Sequence, residues 1–255
     1  MREAGYKVGL YTSPHLTDFT ERIRINNIPI SEDKALFLTR YIRERIGDKD
    51  ITPTFFEFTT ALALYYFAEE CVDIAIMEVG MGGRLDATNI IAPMISIVTN
   101  VEYDHTEHLG NSLEEIAGEK CGIIKRGVPV ISSETKPGIF SIIENSAKEA
   151  GSPAYGYGRD FVAESLELDQ YHSRFYYSGL NYSRLLLKTL LLGRHQMFNV
   201  GTALYATELL TGMGFDVTAQ HIKNGVHDVI WPGRLETLQG NPPVLLDGAH
   251  NHAAS

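Results

Sequence analysis

The sequence predicts an α/β protein in which helices flank a mainly parallel β-sheet, with a small antiparallel β subdomain added to it. Short apolar runs typical of strands, such as Ile74–Met77 and residues 128–131, alternate with longer segments that carry helix caps and stop residues. This alternation favours a parallel sheet covered on both faces. Residues 155–192 are instead rich in aromatic and β-branched residues separated by turn-forming residues, which favours antiparallel strands.

Capping residues define two helices in the first half of the chain. Ser31 precedes a helix that extends to Ile46 and ends at Gly47. Thr54 and Glu57 form a capping box before a helix at 55–70, which is apolar nearly all round and is expected to be buried. Strands are predicted at 7–11, 74–77 and 95–99, and in a short hairpin over 21–30.

The second half begins with a third helix, which Ser112 and Glu115 cap and which extends to about residue 124. Later elements are a strand at 128–131, helices at 140–150, 197–213 and 218–226, and a strand that begins near residue 242. We expect residues 1–230 to form one domain with the antiparallel insertion at about 154–192, and residues 231–255 to form a linker and the first strand of another domain. The chain opens like the tail of a helix and closes on a lone strand, so both ends are interpreted as truncated.

Composition narrows the class of protein. The 255 residues carry a formal net charge of -10, which argues against a general nucleic-acid binder. The two cysteines, Cys71 and Cys121, are expected to be buried thiols and not a disulfide. Neither a membrane-spanning apolar run nor a secretory leader is seen in the sequence, so we expect a cytoplasmic protein without a membrane partner.

The strongest functional pattern is residues 78–89, EVGMGGRLDATN. Glu78 ends an apolar strand, and in open α/β sheets ligands bind at the carboxyl ends of strands. A glycine-rich turn follows, and glycines cost conformational entropy unless the backbone must approach another group closely. The pattern suits a metal and a polyphosphate; the alternative is an acid at a strand end that pairs with Arg84.

Two further positions favour chemistry over a purely structural role. Asp104 and His105 follow the strand at 95–99, which we expect to lie beside the strand that ends at Glu78, so metal binding by His105 gains weight. Lys120 lies in a helix of small and apolar residues, where burial disfavours the ammonium form and makes the amine adaptable. The alternatives are a surface histidine and a solvated helix face.

Other residues are explained equally well by structure when each is taken alone. Ser13 fits a turn or a helix cap, and Asn199 lies in a segment that opens a helix. Arg234, Asp247 and His250 could belong to a domain junction.

Taken together, these segments resemble folylpolyglutamate synthase and dihydrofolate synthase, a family within the Mur ligase superfamily. The resemblance extends over essentially the whole chain in family order. It is carried by LYTSPHL at 10–16, ERIRI at 21–25, TFFE at 54–57, residues 78–89, DHTEHLG at 104–110, EKCGIIK at 119–125, GRHQ with Asn199 at 193–199, PGR at 232–234 and DGAHN at 247–251. It implies that residues 1–230 form the central ATPase domain of a Mur ligase, and that the later residues start a carboxy-terminal domain.

The resemblance implies an ATP-dependent ligase that joins L-glutamate to folate or to dihydropteroate through an acyl phosphate. Such phosphoryl transfer depends on positioning and charge stabilisation. Two Mg²⁺ sites are implied: Ser13 and Glu78 hold the first, and His105 and a carbamylated Lys120, with Glu78, hold the second. Glu78, His105 and Lys120 would therefore be the catalytic residues and would converge on a shared cation pocket.

The resemblance also implies the substrate contacts. Asn199, Arg234 and Asp247 would contact ATP, with His250 near the phosphates. The loops at 12–16 and 84–89 would surround the pterin or its aminobenzoate arm through Thr12, Pro14, His15, Arg84, Asp86, Thr88 and Asn89. The family's phosphate loop, which ends in Lys-Ser or Lys-Thr, does not occur in this sequence, so the isolated chain is expected to bind ATP poorly and not to turn over. The full-length protein is expected to be a monomer.

Three alternatives stay open. The protein could act only as a dihydrofolate synthase, or as a cell-wall ligase on a nucleotide-linked muramyl peptide, although the LYTSPHL and ERIRI segments favour folate. It could also be a non-catalytic fragment that binds folate or a metal.

Overall fold

The computed structural model describes residues 1–47, 49–238 and 240–249, and the chain divides into two compact units, Met1–Ala92 and Pro93–Ser255. The division concerns compactness, and the predicted domain boundary after residue 230 stays a prediction. No helix within the described ranges is both long and apolar enough to cross a membrane.

The first unit is built on a four-stranded sheet with the order β3-β2-β1-β4. Its strands are β1 (Val8–Tyr11), β2 (Ile23–Ile25), β3 (Ile28–Pro29) and β4 (Ile74–Met77). The central strand β1 pairs antiparallel with β2 and parallel with β4, with Tyr11 opposite Met77. The chain therefore leaves β1 and β4 at the same end of the sheet, which places the segments after Tyr11 and Met77 side by side.

Two helices complete this unit, α1 (Glu32–Ile46) and α2 (Phe55–Glu69). The predicted caps are confirmed: the Ser31 hydroxyl accepts the Lys34 N–H at 3.2 Å, and Thr54 and Glu57 form the capping box. The core of the unit consists of Tyr11, Ile23, Ile25, Ile30, Ala35, Leu38, Leu62, Ala63 and Phe67.

Two burial predictions for this unit were wrong. One face of α2 is buried, but Phe55 and Tyr65 are exposed, because the helix packs on the unit through the face that carries Leu62, Ala63 and Phe67. Ala75 and Ile76 on β4 are also exposed. Cys71 is an exposed thiol in a turn with φ 51° after the end of α2, whereas Cys121 is buried as predicted.

The second unit contains the predicted parallel sheet, β5 (Ser96–Val98), β6 (Val130–Ser132) and β7 (Ala154–Gly156), in sequential order. Its helices are α3 (Thr106–Leu109), α4 (Leu113–Cys121) and α5 (Pro137–Glu149). The prediction of antiparallel pairing from residue 155 was wrong at this point, because β7 pairs parallel with β6. Helix α5 starts three residues earlier than predicted, since Pro137 occupies the first helical position, where proline is favoured.

The antiparallel subdomain follows, with β8 (Val162–Leu168), β9 (Ser173–Ser178) and β10 (Leu185–Thr189) in a three-stranded meander. One face of β9 buries Phe175 and Tyr177 completely. The unit continues with α6 (His195–Gly212), α7 (Ala219–His227) and an antiparallel hairpin of β11 (Glu236–Leu238) and β12 (Val244–Leu246). The predicted strand near residue 242 thus pairs with β11, a partner that was not predicted from the sequence.

Candidate functional site

In the first unit, the structure brings Ser13 and Glu78 together. The parallel pairing of β1 and β4 ends in a hydrogen bond from the Glu78 N–H to the Tyr11 carbonyl at 3.0 Å. Just beyond it, the Ser13 N–H donates to the Glu78 Oε2 at 2.8 Å. An exposed carboxylate is therefore held against the backbone of residues 12–14, and Ser13, the residue that donates to it, also carries a hydroxyl.

The loop after β1 is shaped by the short turn of Phe19–Arg22. Glu21 accepts the N–H groups of Leu16, Thr17 and Asp18 at 3.0–3.1 Å, and these hydrogen bonds lower the pKa of its carboxyl. Arg22, which is buried, donates from Nε to the Nδ1 of His15 at 2.8 Å. His15 is therefore held by an arginine, so its position is fixed before any ligand binds; Glu21 and Arg22 were given no role from the sequence.

Contacts inside the protein explain two residues of the glycine-rich segment, Gly80 and Asp86, that the sequence had linked to a ligand. A Cβ at Gly80 would lie 2.5 Å from the Cζ of Phe56, so the close approach that excludes a side chain there is to an aromatic ring. Asp86 uses both carboxylate oxygens inside the loop, accepting the N–H groups of Gly80, Met81 and Thr88 at 2.9–3.0 Å. The Thr88 hydroxyl, buried, also donates to Asp86.

The remaining residues of this loop are held by short-range contacts. The side-chain amide of Asn89 donates to the Arg84 carbonyl at 3.0 Å. Leu85 and Ile90 are each 80% exposed. The loop therefore has a fixed backbone and a strongly exposed apolar surface, and its predicted contact with a pterin or aminobenzoate group stays a prediction.

In the second unit, His105 lies at the start of α3 in the left-handed conformation, with φ 47° and ψ 41°. Few residues other than glycine adopt this conformation, although histidine does so more often than most. Its N–H is held by the Asp104 Oδ1 at 2.9 Å, and its Nε2 lies 3.8 Å from the same oxygen. The imidazole is exposed, so it is accessible to a ligand or an ion.

Lys120 lies near the end of α4, whose buried face contains Ile116 and Ala117. Burial lowers the pKa of the Lys120 ammonium, and the nearby Asp104 carboxylate opposes this shift. Asp104 therefore interacts electrostatically with Lys120 and contacts the neighbouring His105. Asp104, His105 and Lys120 therefore lie in one neighbourhood within the second unit.

The predicted nucleotide contacts form a second group in this unit. Asp247 accepts the N–H groups of Leu235 and Ala249 at 2.8 and 2.7 Å, which lowers the pKa of its carboxyl. Electrostatic interactions with Arg234 and His195 lower that pKa further. Asn199 lies one turn along α6 from His195, and its amide donates to the Gln196 Oε1 at 3.1 Å. His250 lies outside the described residues.

Within the described ranges, the predicted metal and nucleotide residues thus fall into three sets: Ser13 with Glu78; His105 and Lys120, each of which interacts with Asp104; and Arg234 with Asp247, next to the start of the helix that carries Asn199. In the structure, β4 is hydrogen-bonded to β1 in one sheet, and β5 is hydrogen-bonded to β6 in another. That β4 and β5 are neighbours, and that Glu78 shares a cation pocket with His105 and Lys120, both stay predictions.

The sequence matches the family profile of the Mur ligase middle domain over residues 30–207. The chain belongs to the Mur ligase family. Within this family it is similar to a dihydrofolate synthase/folylpolyglutamate synthase of Bacillus subtilis, with 38% identity over 98% of this Mur ligase chain and 60% of the relative. The predicted resemblance is therefore confirmed.

Solved structures agree with this assignment over nearly the whole Mur ligase chain. A complex of folylpolyglutamate synthase with AMPPCP and folate has a TM-score of 0.94 and 36% identity, covering 99% of this chain and 63% of that one. Escherichia coli FolC in complex with DHPP and ADP has a TM-score of 0.87 and 35% identity, covering 99% and 57%. The chain thus spans about 60% of the length of these relatives.

Proposed function

We propose that the complete protein is an ATP-dependent ligase that joins L-glutamate to folate, with dihydropteroate as a second acceptor. The observation that carries the proposal is the similarity of almost the entire chain to a structure whose ligands are folate and an ATP analogue. The FolC complex with DHPP and ADP supports the same pair of substrate classes. A cell-wall acceptor has no comparable support among these structures.

The Ser13–Glu78 pair fits a magnesium site. Mg²⁺ prefers oxygen ligands and is bound in proteins through one or two carboxylates together with phosphate oxygens. Glu78 offers a carboxylate whose Oε2 is oriented by the Ser13 N–H, and the Ser13 hydroxyl adds a second oxygen on the same turn. When bound there, Mg²⁺ would neutralise phosphate charge. Glu78 would hold Mg²⁺ in place, since the hydrogen bond from Ser13 fixes the Glu78 carboxylate before the nucleotide binds.

The second proposed cation site uses His105 and Lys120. An ammonium repels a cation, so Lys120 suits this role only after reaction with carbon dioxide. In that reaction the neutral amine attacks the carbon of CO₂, a C–N bond forms while one C=O π bond opens onto oxygen, one amine proton leaves to solvent and an anionic carbamate remains. The lowered pKa of Lys120 favours the neutral amine that this reaction requires. His105, exposed beside Asp104, would supply the nitrogen ligand.

For the nucleotide, the second unit offers an amide, a guanidinium and a carboxylate. The chain at Arg234 is anchored by Asp247, which accepts the Leu235 N–H, and His195 at the start of α6 interacts electrostatically with the Asp247 carboxylate. The amino-terminal end of an α-helix favours anions such as phosphate. We assign Asn199, Arg234 and Asp247 to ATP binding. We also propose that the protein is located in the cytoplasm, where ATP is abundant.

The test uses the complete gene product with Mg²⁺, ATP and L-glutamate, and compares three acceptors: folate monoglutamate, dihydropteroate and a nucleotide-linked muramyl peptide. Release of ADP and phosphate together with a glutamylated pteridine supports the proposal. Glutamylation of dihydropteroate alone would restrict the enzyme to dihydrofolate synthase, and activity on the muramyl peptide alone would overturn the assignment. Calorimetric titration of the 255-residue chain with dihydropteroate, with and without Mg²⁺, separately tests the reading of this chain as a binding fragment.

A further inference from the structure

The side chains of Glu134 and Lys136, which follow β6, hold the segment that leads to His105. Glu134 is 2% exposed although it carries a carboxylate. Its Oε2 accepts the Val101 N–H at 2.8 Å, and its Oε1 accepts the N–H groups of Thr135 and Lys136 at 2.8 and 2.7 Å. A buried carboxylate is costly unless such donors compensate it, and three backbone N–H groups are strong compensation.

Lys136 holds the other side of the same residue. Its ammonium donates to the Val101 carbonyl at 3.0 Å and to the Glu102 Oε1 at 2.5 Å, and lies 3.6 Å from the Glu134 Oε1. Both main-chain polar groups of Val101 are thus bound by side chains from a loop more than 30 residues away in sequence. We call Glu134 and Lys136 the Val101 clamp.

Packing reinforces the Val101 clamp. The Val101 side chain is completely buried in a cluster with Leu109, Ile116, Ala117 and Ile139. This cluster joins the loop after β5 to α4 and α5. At the far end of the loop, the Asn111 N–H donates to the Glu115 Oε2 at 2.6 Å, so α4 also fixes that end.

We propose that Glu134 and Lys136 are positioning residues for His105. The segment between Val101 and Asn111 is fixed at both ends, and His105 lies within it in a left-handed conformation that this anchoring maintains. Lys120 lies on α4, to which the same segment is attached through Glu115. The Val101 clamp therefore sets where the imidazole lies relative to α4. The inference rests on the proposed function for its catalytic consequence, while the positioning itself is a property of the chain.

The first experiment measures the Mg²⁺ dependence of ligation in the complete gene product. Loss of groups that orient a metal ligand typically weakens metal affinity about 10- to 100-fold. We expect Glu134→Gln and Lys136→Met to raise the Mg²⁺ concentration for half-maximal rate by about tenfold. Lys136→Arg, which keeps the positive charge, is expected to have a half-maximal Mg²⁺ concentration close to that of wild type. The matched control is Glu208→Gln on α6, because Glu208 is also a buried carboxylate that accepts two backbone N–H groups, those of Leu180 and Asn181.

Glu208→Gln is expected to lower the melting temperature as Glu134→Gln does, and to leave the Mg²⁺ dependence unchanged. Equal Mg²⁺ dependence in all of these variants would overturn the proposal. If Glu134→Gln does not fold, Lys136→Met decides, because its side chain is 39% exposed and its loss removes no buried carboxylate.

The second experiment does not depend on activity. In this chain with ¹³C-labelled histidine, the His105 ring resonance is assigned by its loss in His105→Gln. We expect Lys136→Met to shift that resonance and Glu208→Gln to leave it in place; an unmoved resonance in Lys136→Met contradicts the positioning role. If wild-type protein ligates no glutamate, the proposed function fails, and the His105 resonance still decides whether the Val101 clamp positions the loop.

Discussion

The backbone N–H of Ser13 donates a hydrogen bond to the carboxylate of Glu78 at 2.8 Å, joining two residues that are 65 positions apart. The contact exists because β1 and β4 run parallel and end at the same edge of their sheet. It orients one carboxylate oxygen. A mutation can remove the negative charge of Glu78 and keep the hydrogen bond from Ser13, which gives the first prediction.

Glu78→Gln retains an acceptor for the Ser13 N–H and removes the charge. We expect the melting temperature to stay close to wild type while kcat of the complete protein falls by about 100-fold or more, the scale typical of lost transition-state charge stabilisation. Initial rates over a Mg²⁺ series measure this. Glu69→Gln is the control, since the Glu69 carboxylate forms a partly exposed ion pair with Lys34. Full activity in Glu78→Gln would contradict the magnesium role.

Lys120 predicts a pH-dependent stability. Because burial lowers its pKa in the folded chain, the unfolded chain binds more protons between that lowered pKa and the ordinary value near 10.4. Stability contributed by this residue therefore rises with pH across that window and is lowest below it. We expect Lys120→Met to be more stable than wild type at pH 7 and to show a flatter pH dependence, measured by urea unfolding from pH 6 to 10. A variant that is less stable at every pH would contradict the burial argument.

A carbamate at Lys120 makes a separate prediction. In ¹³C-bicarbonate, the chain should give a carbamate resonance that Lys120→Arg lacks, because a guanidinium does not react in this way at neutral pH. The resonance should fade as the pH falls, since protonation removes the reactive amine. Lys125→Arg is the matched control and should keep the signal. Its disappearance in Lys125→Arg, with retention in Lys120→Arg, would move the modification away from α4.

The sequence was informative where a structure depends on neighbours along the chain. The capping box at Thr54 and the hydroxyl cap at Ser112 were correctly predicted because their partners lie three residues away. The predicted second half of the box at Ser112 is not formed, because the Glu115 carboxylate accepts the N–H of Asn111 instead. The burial of Glu134 and the internal use of Asp86 were not predicted. Glu134 acquires its role from Val101, 33 positions earlier, and an isolated glutamate between Ser133 and Thr135 resembles any surface residue.

The same limit explains the errors in pairing and burial. A three-residue strand such as β7 contains too little pattern to reveal whether its neighbour is parallel. For the site, the sequence identified which residue types follow each strand, and the pairing of β1 with β4 then brought Ser13 to Glu78. The glycine at position 80 was interpreted through ligand approach, whereas Phe56 occupies the space beside it.

Gly80 supplies the last prediction. A methyl group at this position would lie 2.5 Å from the Cζ of Phe56, and overpacking of this kind costs about 1–3 kcal/mol. Gly80→Ala should destabilise the chain by that amount in urea unfolding. Adding Phe56→Leu should recover part of the loss, because residues in direct contact couple by about 0.5–3 kcal/mol in a double-mutant cycle. Gly118→Ala on α4 is the control: in the described part of the chain, no atom beyond its own stretch of helix lies within 4 Å of the added Cβ, and glycine inside a helix costs about 0.5–1 kcal/mol, so this variant should be more stable than wild type. Additive effects of Gly80→Ala and Phe56→Leu would contradict the role given to the Phe56 ring.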